Sequence, residues 1–332
     1  MKRTIISLFV ALLATVTVQA QQIAVVSGDG TTNIYQTLDD AISGATAGST
    51  IYLPGGGFQI ADETKITKQV TIIGIGHKAN SENADGNTVI SGNINYAEGS
   101  DDSSIMGCYI SGDVVIGVGG DTGTTVNNIL IKYCNLHGIQ VKSKTCSGTI
   151  VNQNYIRSES NFALSQVTFN NNICGAITNI EGGIITNNIV ANRNSSSGGI
   201  YRAPLLKVNN SSISNNVFFD KNPYDGGFSA SSGGNAATNN MGPDNWGDNP
   251  INIGSEAWNN IFVNYNDGKI TPASDFHFTD GYKQYSNIGI YGGTGFSDKG
   301  MAPLPYIVAK DIPEQTDAEG KLNIKIRVKA SE

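Results

Sequence analysis

Apolar residues return along this chain in a short motif rather than in a helical or a simple alternating period. The motif runs apolar, two residues, Asn or Cys, one residue, apolar. It occurs at Ile105–Cys108–Ile110, Ile131–Cys134–Leu136, Val151–Asn154–Ile156 and Phe169–Asn172–Cys174. It continues at Ile185–Asn188–Val190, Ile213–Asn216–Phe218 and Ala257–Asn260–Phe262, with a weaker copy at Ala237–Asn240–Gly242. The central residues are 26, 20, 18, 16, 28, 24 and 20 positions apart. Helical solenoids repeat at near-fixed length, so this spacing excludes them. It predicts coils of short strands joined by loops of variable length. One coil cannot bury its apolar face alone. Stacked coils, about 4.8 Å apart, place like residue over like and build a continuous interior. Asn at the turn can bond its neighbour's amide and also tolerates left-handed backbone. The pattern therefore predicts an all-β parallel β-helix with an Asn ladder.

The ends carry different patterns. Leu38, Ala41, Ile42 and Ala45 share one face of a short helix that Thr37 can cap and Gly44 can stop. Such a helix would cover the open N-terminal edge of the stack. Thr50–Leu53 and Val70–Gly74 read as strands. Near the C-terminus, Leu322, Ile324, Ile326 and Val328 alternate with Asn323, Lys325, Arg327 and Lys329, predicting a half-buried closing strand with a basic outer face. Pro303, Pro305 and Pro313 separate it from the coils. Residues 1–20 read as a signal peptide: Lys2 and Arg3, an apolar run from Ile5 to Val18, and a small residue at Ala20. The run is short of the ~20 residues that span a bilayer. The expected divisions are a leader at 1–20, a β-helix domain at 21–302, and a Pro-containing linker with a strand at 303–332. The mature chain is expected in the periplasm, at the cell surface or outside the cell.

Composition supports strands and turns. The chain holds 40 Gly and 37 Asn, both poor helix formers. Without the leader it carries 19 basic and 28 acidic residues, a net charge of −9. That balance argues against nucleic acid as a partner, because phosphate binding needs a basic face. Cys108, Cys134, Cys146 and Cys174 show no CxxC spacing, which argues against a zinc site and favours buried free thiols.

Three passages carry a resemblance. They are Thr37–Ile42 followed by Gly48–Gly55 and Val70–Gly76; the Asn ladder; and Asp275–Phe278 followed by Asn287–Gly293, which is similar to a closing coil. On these the chain resembles the secreted right-handed parallel β-helix proteins of Gram-negative, Bacteroides-type bacteria, within the pectin-lyase-like superfamily. The likeness spans nearly all of residues 30–295. The protein is expected to be a monomer directed at polysaccharide, acidic polysaccharide included, though this architecture carries lyases, hydrolases, esterases and binding proteins alike.

Arg202–Lys207 is similar to the Arg-x-Pro-x-x-Arg segment of pectate lyases, with Asn215–Asn216 following. By that likeness Arg202 is the base of a β-elimination and Lys207 grips a uronate carboxylate. Lys in place of the second Arg loses bidentate carboxylate recognition. The likeness also implies Ca²⁺, yet His137–Lys142, the corresponding stretch, offers no acidic ligand. No cofactor is therefore assigned. Lys142 is a further catalytic candidate, from a fainter similarity to the lysine segment of alginate lyases and chondroitinase-B-like enzymes. Its expected Arg partner one coil on is missing, with Gln166 near that place. Trp246, Tyr224 and Arg193 are the candidate substrate-binding residues, Trp246 as a sugar platform or as a loop plug. Asp220 and Asp225 read as turn residues, and His77, His137 and His277 stand singly. Two readings result: a pectate-lyase-like enzyme with an incomplete site, or a non-catalytic carbohydrate-binding or surface protein.

Overall fold

Alternation of side chains along a strand sends one residue of each short strand inward, and stacking then files those residues vertically. In the computed structural model that file runs Ile51, Ile72, Ile105, Ile131, Val151, Phe169, Ile185, Ile213, Ala237, each paired in register with the next. All nine are buried. The structure describes residues 22–78, 86–119, 123–191, 204–219, 232–265, 270, 274–313, 315–316 and 318–329. Their strands form sheets of eleven, ten and six strands, and pairing between successive coils is parallel throughout. The molecule is a parallel β-helix. Its interior is one hydrophobic cluster reaching from Ile23 to Trp246.

The turn between the eleven- and ten-stranded sheets explains the Asn–Asn pairs. The first residue of each pair adopts positive φ: Asn171, Asn187, Asn215 and Asn239, with Tyr133 and Gln153 doing so in earlier coils. The second residue points inward as the ladder. Asn154 bonds Asn172, which bonds Asn188, then Asn216, then Asn240, through Nδ2···Oδ1 contacts of 2.9–3.2 Å. Each of these amides also donates to carbonyls of its own and the preceding coil, as Asn188 does to Thr186 O and Phe169 O. The weak copy at Asn240 is thus a full rung. Asn260, by contrast, lies in a helical turn, Trp258–Ile261, and bonds Glu256 instead of a ladder neighbour.

The helix Leu38–Gly44 caps the N-terminal end, with Thr37 accepting from Asp40 N and Leu38, Ala41 and Ile42 buried. An antiparallel hairpin, Ile23–Val26 with Thr32–Tyr35, extends the eleven-stranded sheet beyond it. The four cysteines are free and buried.

Two expectations need correction. The C-terminal strand, Lys325–Lys329, does not close the column. It pairs antiparallel with Tyr306–Asp311 in a separate two-stranded sheet, leaving Ile326 and Val328 53% and 56% exposed. Its backbone is satisfied locally, so nothing draws its apolar side under the coils. Asn287–Gly293 is also no coil. It belongs to a strap that runs outside the column, back toward the N-terminus. Gly289 N bonds Asn215 O; Asn187 Nδ2 reaches Asn287 O at 2.7 Å; Asn171 Nδ2 reaches Ile290 O and Gly292 O at 2.8 and 2.7 Å. Further on, Ser297 N bonds Gln153 Oε1 and His77 N bonds Gly300 O. The strap lacks β periodicity because its polar groups are met by the turn side chains Gln153, Asn171 and Asn187 of successive coils, which are buried beneath it.

Candidate functional site

The residue between each ladder position and the following apolar position faces outward from the ten-stranded sheet. In order these are Tyr109, Asn135, Tyr155, Ile173, Ile189, Val217 and Met241. Six of the seven are apolar or aromatic, which an outer face in water would not need. The C-terminal segment covers the lower part of this face. Ile173, Ile189, Val217 and Met241 pack with Ile261, Phe262, Phe276, Phe278, Ile288 and Ile290 in a second hydrophobic core.

Above that core the cover lifts from the sheet and leaves a cleft of about 470 Å³. Tyr109, Asn135, Tyr155 and Ile173 line the sheet side, and Phe276, Tyr291 and Phe296 the strap side. His77, Lys78 and Asp298 line it as well. The volume lies within the range of about 300–1,000 Å³ that holds small organic ligands. Tyr155 Oη donates to Ile270 O at 3.1 Å, which fixes its ring. Tyr291 Oη donates to Asp298 Oδ1 at 2.7 Å, and the His277 ring stacks on Tyr291 at 3.7 Å while its Nδ1 meets Asp275 Oδ1 at 2.6 Å. Burial and the Asp298 carboxylate push the Tyr291 phenol up, so it stays a donor. Lys78 Nζ donates to Asp298 O at 2.6 Å. Burial, with a contribution from Lys78, lowers His77 to about 3 and keeps the imidazole neutral. Gly300, at positive φ, permits that burial, because a Cβ there would overlap the ring.

The residues singled out in the sequence distribute differently. Lys142 follows the strand Ile139–Val141 and Lys207 lies in Leu205–Asn209, both exposed and both on the six-stranded sheet. Two strands separate theirs, which puts the two backbones about 14 Å apart. Lys142 Nζ donates to Gln140 Oε1 at 2.7 Å; Gln140 Nε2 donates to Asp113 Oδ2 at 2.6 Å; His137 Nδ1 meets Asp113 Oδ1 at 2.7 Å. An acidic residue thus does approach the stretch His137–Lys142, from the preceding coil. Both its oxygens are engaged, however, and a lone carboxylate does not fit a Ca²⁺ cage. Among the described residues no group of three or more His, Cys, Asp or Glu could hold a metal ion. Gln166 is exposed.

Trp246 is no sugar platform. It is 1% exposed and stacks on Phe218 with ring centroids 4.3 Å apart, filling the last coils of the interior. Trp258 packs on Phe219 and Phe262 in the outer core. Arg193, Arg202, Tyr224, Asp220 and Asp225 lie outside the described residues. Asn215–Asn216, taken as part of a lyase motif, repeats the turn chemistry of three other coils and marks no site by itself.

Sequence reading missed the cleft. Its signal was the apolar outward position of the repeat, which announces a covered outer face. What covers it, and where the cover ends, depends on residues far apart along the chain. No family model matches this chain, and no curated protein or solved structure matches it. The likeness to secreted pectin-lyase-like β-helix proteins therefore rests on the sequence motifs, and the fold on the geometry described above.

Proposed function

We propose that this is a secreted, polysaccharide-directed β-helix protein that binds carbohydrate in the cleft between its ten-stranded sheet and the strap. One observation carries the reading: five aromatic side chains, Tyr109, Tyr155, Phe276, Tyr291 and Phe296, line a single cleft that also holds polar side chains. Sugar rings present apolar C–H faces that stack on aromatic rings, and hydroxyl edges that need hydrogen-bonding partners. Binding asks for no catalytic step here. Retention of the mature protein on gels containing different polysaccharides tests it: retention is expected, and Tyr155→Ala should abolish it while Tyr155→Phe retains the ring and the binding.

A second reading keeps the pectate-lyase-like activity, on the outer face of the six-stranded sheet. Its support is that Lys142 and Lys207 are exposed on that one sheet. Absorbance from unsaturated uronate products, with pectin, alginate and glycosaminoglycans as substrates, tests it. Activity lost in Arg202→Ala and Lys207→Ala would favour the lyase; unchanged activity would dismiss both assignments.

A further inference from the structure

Resting on the carbohydrate-binding reading, we infer that the cleft selects neutral sugars over uronates. The argument begins with charge. Among the described residues Lys78 is the one Lys or Arg lining the cleft, and its ammonium is already held by the Asp298 carbonyl at 2.6 Å. The Asp298 carboxylate, which takes the Tyr291 hydroxyl, balances it. A uronate carboxylate entering here finds no guanidinium among the described lining residues and meets Asp298; Arg157 stacks over the Tyr109 ring, 4.5 Å from its centroid, and gives its Nη2 to the Ile110 and Ser111 carbonyls. Burying it without a paired cation is unfavourable.

The hydrogen-bonding groups call for hydroxyls. Asn135 Oδ1 and His77 Nδ1 are enclosed and take no hydrogen bond from any described residue. His77 is only 6% exposed, and it stays neutral through the ordinary pH range. A carboxylate is an acceptor only, so the carbonyl oxygen of Asn135 calls for a hydroxyl; neutral sugars and uronates both carry hydroxyls, and the choice between them rests on charge. A hydroxyl can donate to it and accept from elsewhere. Of the remaining described lining, Asn87 and Ser274 are polar and the rest is Tyr, Phe and Ile, suited to the C–H face of a pyranose. The recognised class is thus an uncharged hexose or pentose unit whose hydroxyl reaches over Asn135.

Calorimetric titration of the mature protein with matched neutral and uronate oligosaccharides tests this. Neutral glucan, mannan and xylan fragments are set against oligogalacturonate and oligomannuronate of equal length. At least one neutral series should bind about tenfold or more tighter than every uronate. Asn135→Leu should weaken that binding about tenfold while leaving the melting temperature equal or higher, because Asn135 Oδ1 supports no internal bond. A merely structural Asn would show the reverse. Uronates bound more tightly than neutral sugars, with binding lost in Tyr155→Ala, would overturn the neutral selection and leave the cleft as a carbohydrate site. Uronate binding indifferent to Tyr155→Ala but lost in Lys207→Ala would overturn both and move recognition to the six-stranded sheet. Absence of binding to every sugar would also overturn both.

Discussion

The upper and lower parts of the ladder solve one problem with different chemistry. At the turn position the column carries Thr88, Cys108 and Cys134 in its early coils, and Asn154, Asn172, Asn188, Asn216 and Asn240 below. The Cys134 thiol faces Ile105 O at 3.8 Å and Lys132 O at 3.3 Å, while Asn154 Nδ2 donates to Ile131 O and Asn152 O at 2.9 and 3.0 Å. The same two carbonyls of the local geometry are met each time. An amide adds what a thiol lacks, a strong acceptor for the rung before it and a second donor for the rung after it. Asn154 Oδ1 therefore takes Cys134 N at 2.9 Å, and the chain of coil-to-coil amide bonds begins there. Thiols fill volume with weak donors; amides tie each coil to the next.

The largest test of this difference is Asn188→Leu. It removes three donated bonds, to Phe169 O, Thr186 O and Asn216 Oδ1, and two accepted from Asn172. The partners remain buried and unmet. A loss of roughly 4 kcal/mol is expected from denaturant unfolding, more than for any thiol rung. A loss near 1 kcal/mol would mean that the amides add nothing beyond filling the turn.

Among the rungs, alkaline pH should act on the thiols and not on the amides, which do not titrate. Burial pushes the Cys134 thiol up to about 12, and Cys108 and Cys174 are shifted the same way for the same reason. An unfolded thiol ionises near 9, so the folded state binds protons that the unfolded state releases. The stabilisation is complete below about pH 9 and is lost as pH rises toward 12, at roughly 1.4 kcal/mol per unit for each such thiol. Cys134→Ser should cost only about 1 kcal/mol at pH 7, since a hydroxyl can face the same carbonyls. Between pH 9 and 10.5 it should lose less stability than the parent protein, by roughly 2 kcal/mol. Parallel curves for the two proteins would refute the burial argument.

How much of this was legible in the sequence follows from the same contrast. Asn and Cys could be treated as one motif class because they share the turn position and two of its carbonyls. The vertical file of apolar residues followed from that motif, since stacking leaves them no other place. Local patterns failed where the partner is distant. The hairpin Ile23–Val26 with Thr32–Tyr35 is short, and its second strand is largely exposed, so it carries no apolar alternation. Trp246 in a Gly- and Asp-rich segment looks like a loop aromatic, yet Gly242 leaves room for its indole beside Phe218. The cleft joins residues 77–78, 87, 109–173 and 274–298, and no short window of sequence spans them.

The smallest expected effect separates a rung from a look-alike. Ala257–Asn260–Phe262 matches the repeat better than Ala237–Asn240–Gly242, because it ends on a large apolar residue. Only Asn240 has the geometry. Its amide donates to Ile213 O at 2.9 Å and Trp246 O at 3.2 Å, and its oxygen takes Asn216 N and Nδ2 at 3.0 Å. Asn260 is exposed and bonds Glu256, which precedes the short helix, a local surface contact. Asn260→Ala should therefore change unfolding free energy by less than about 0.5 kcal/mol. Should it instead destabilise as a ladder substitution does, the column would continue into the 257–262 segment, and the outer core that roofs the cleft would have to be redrawn.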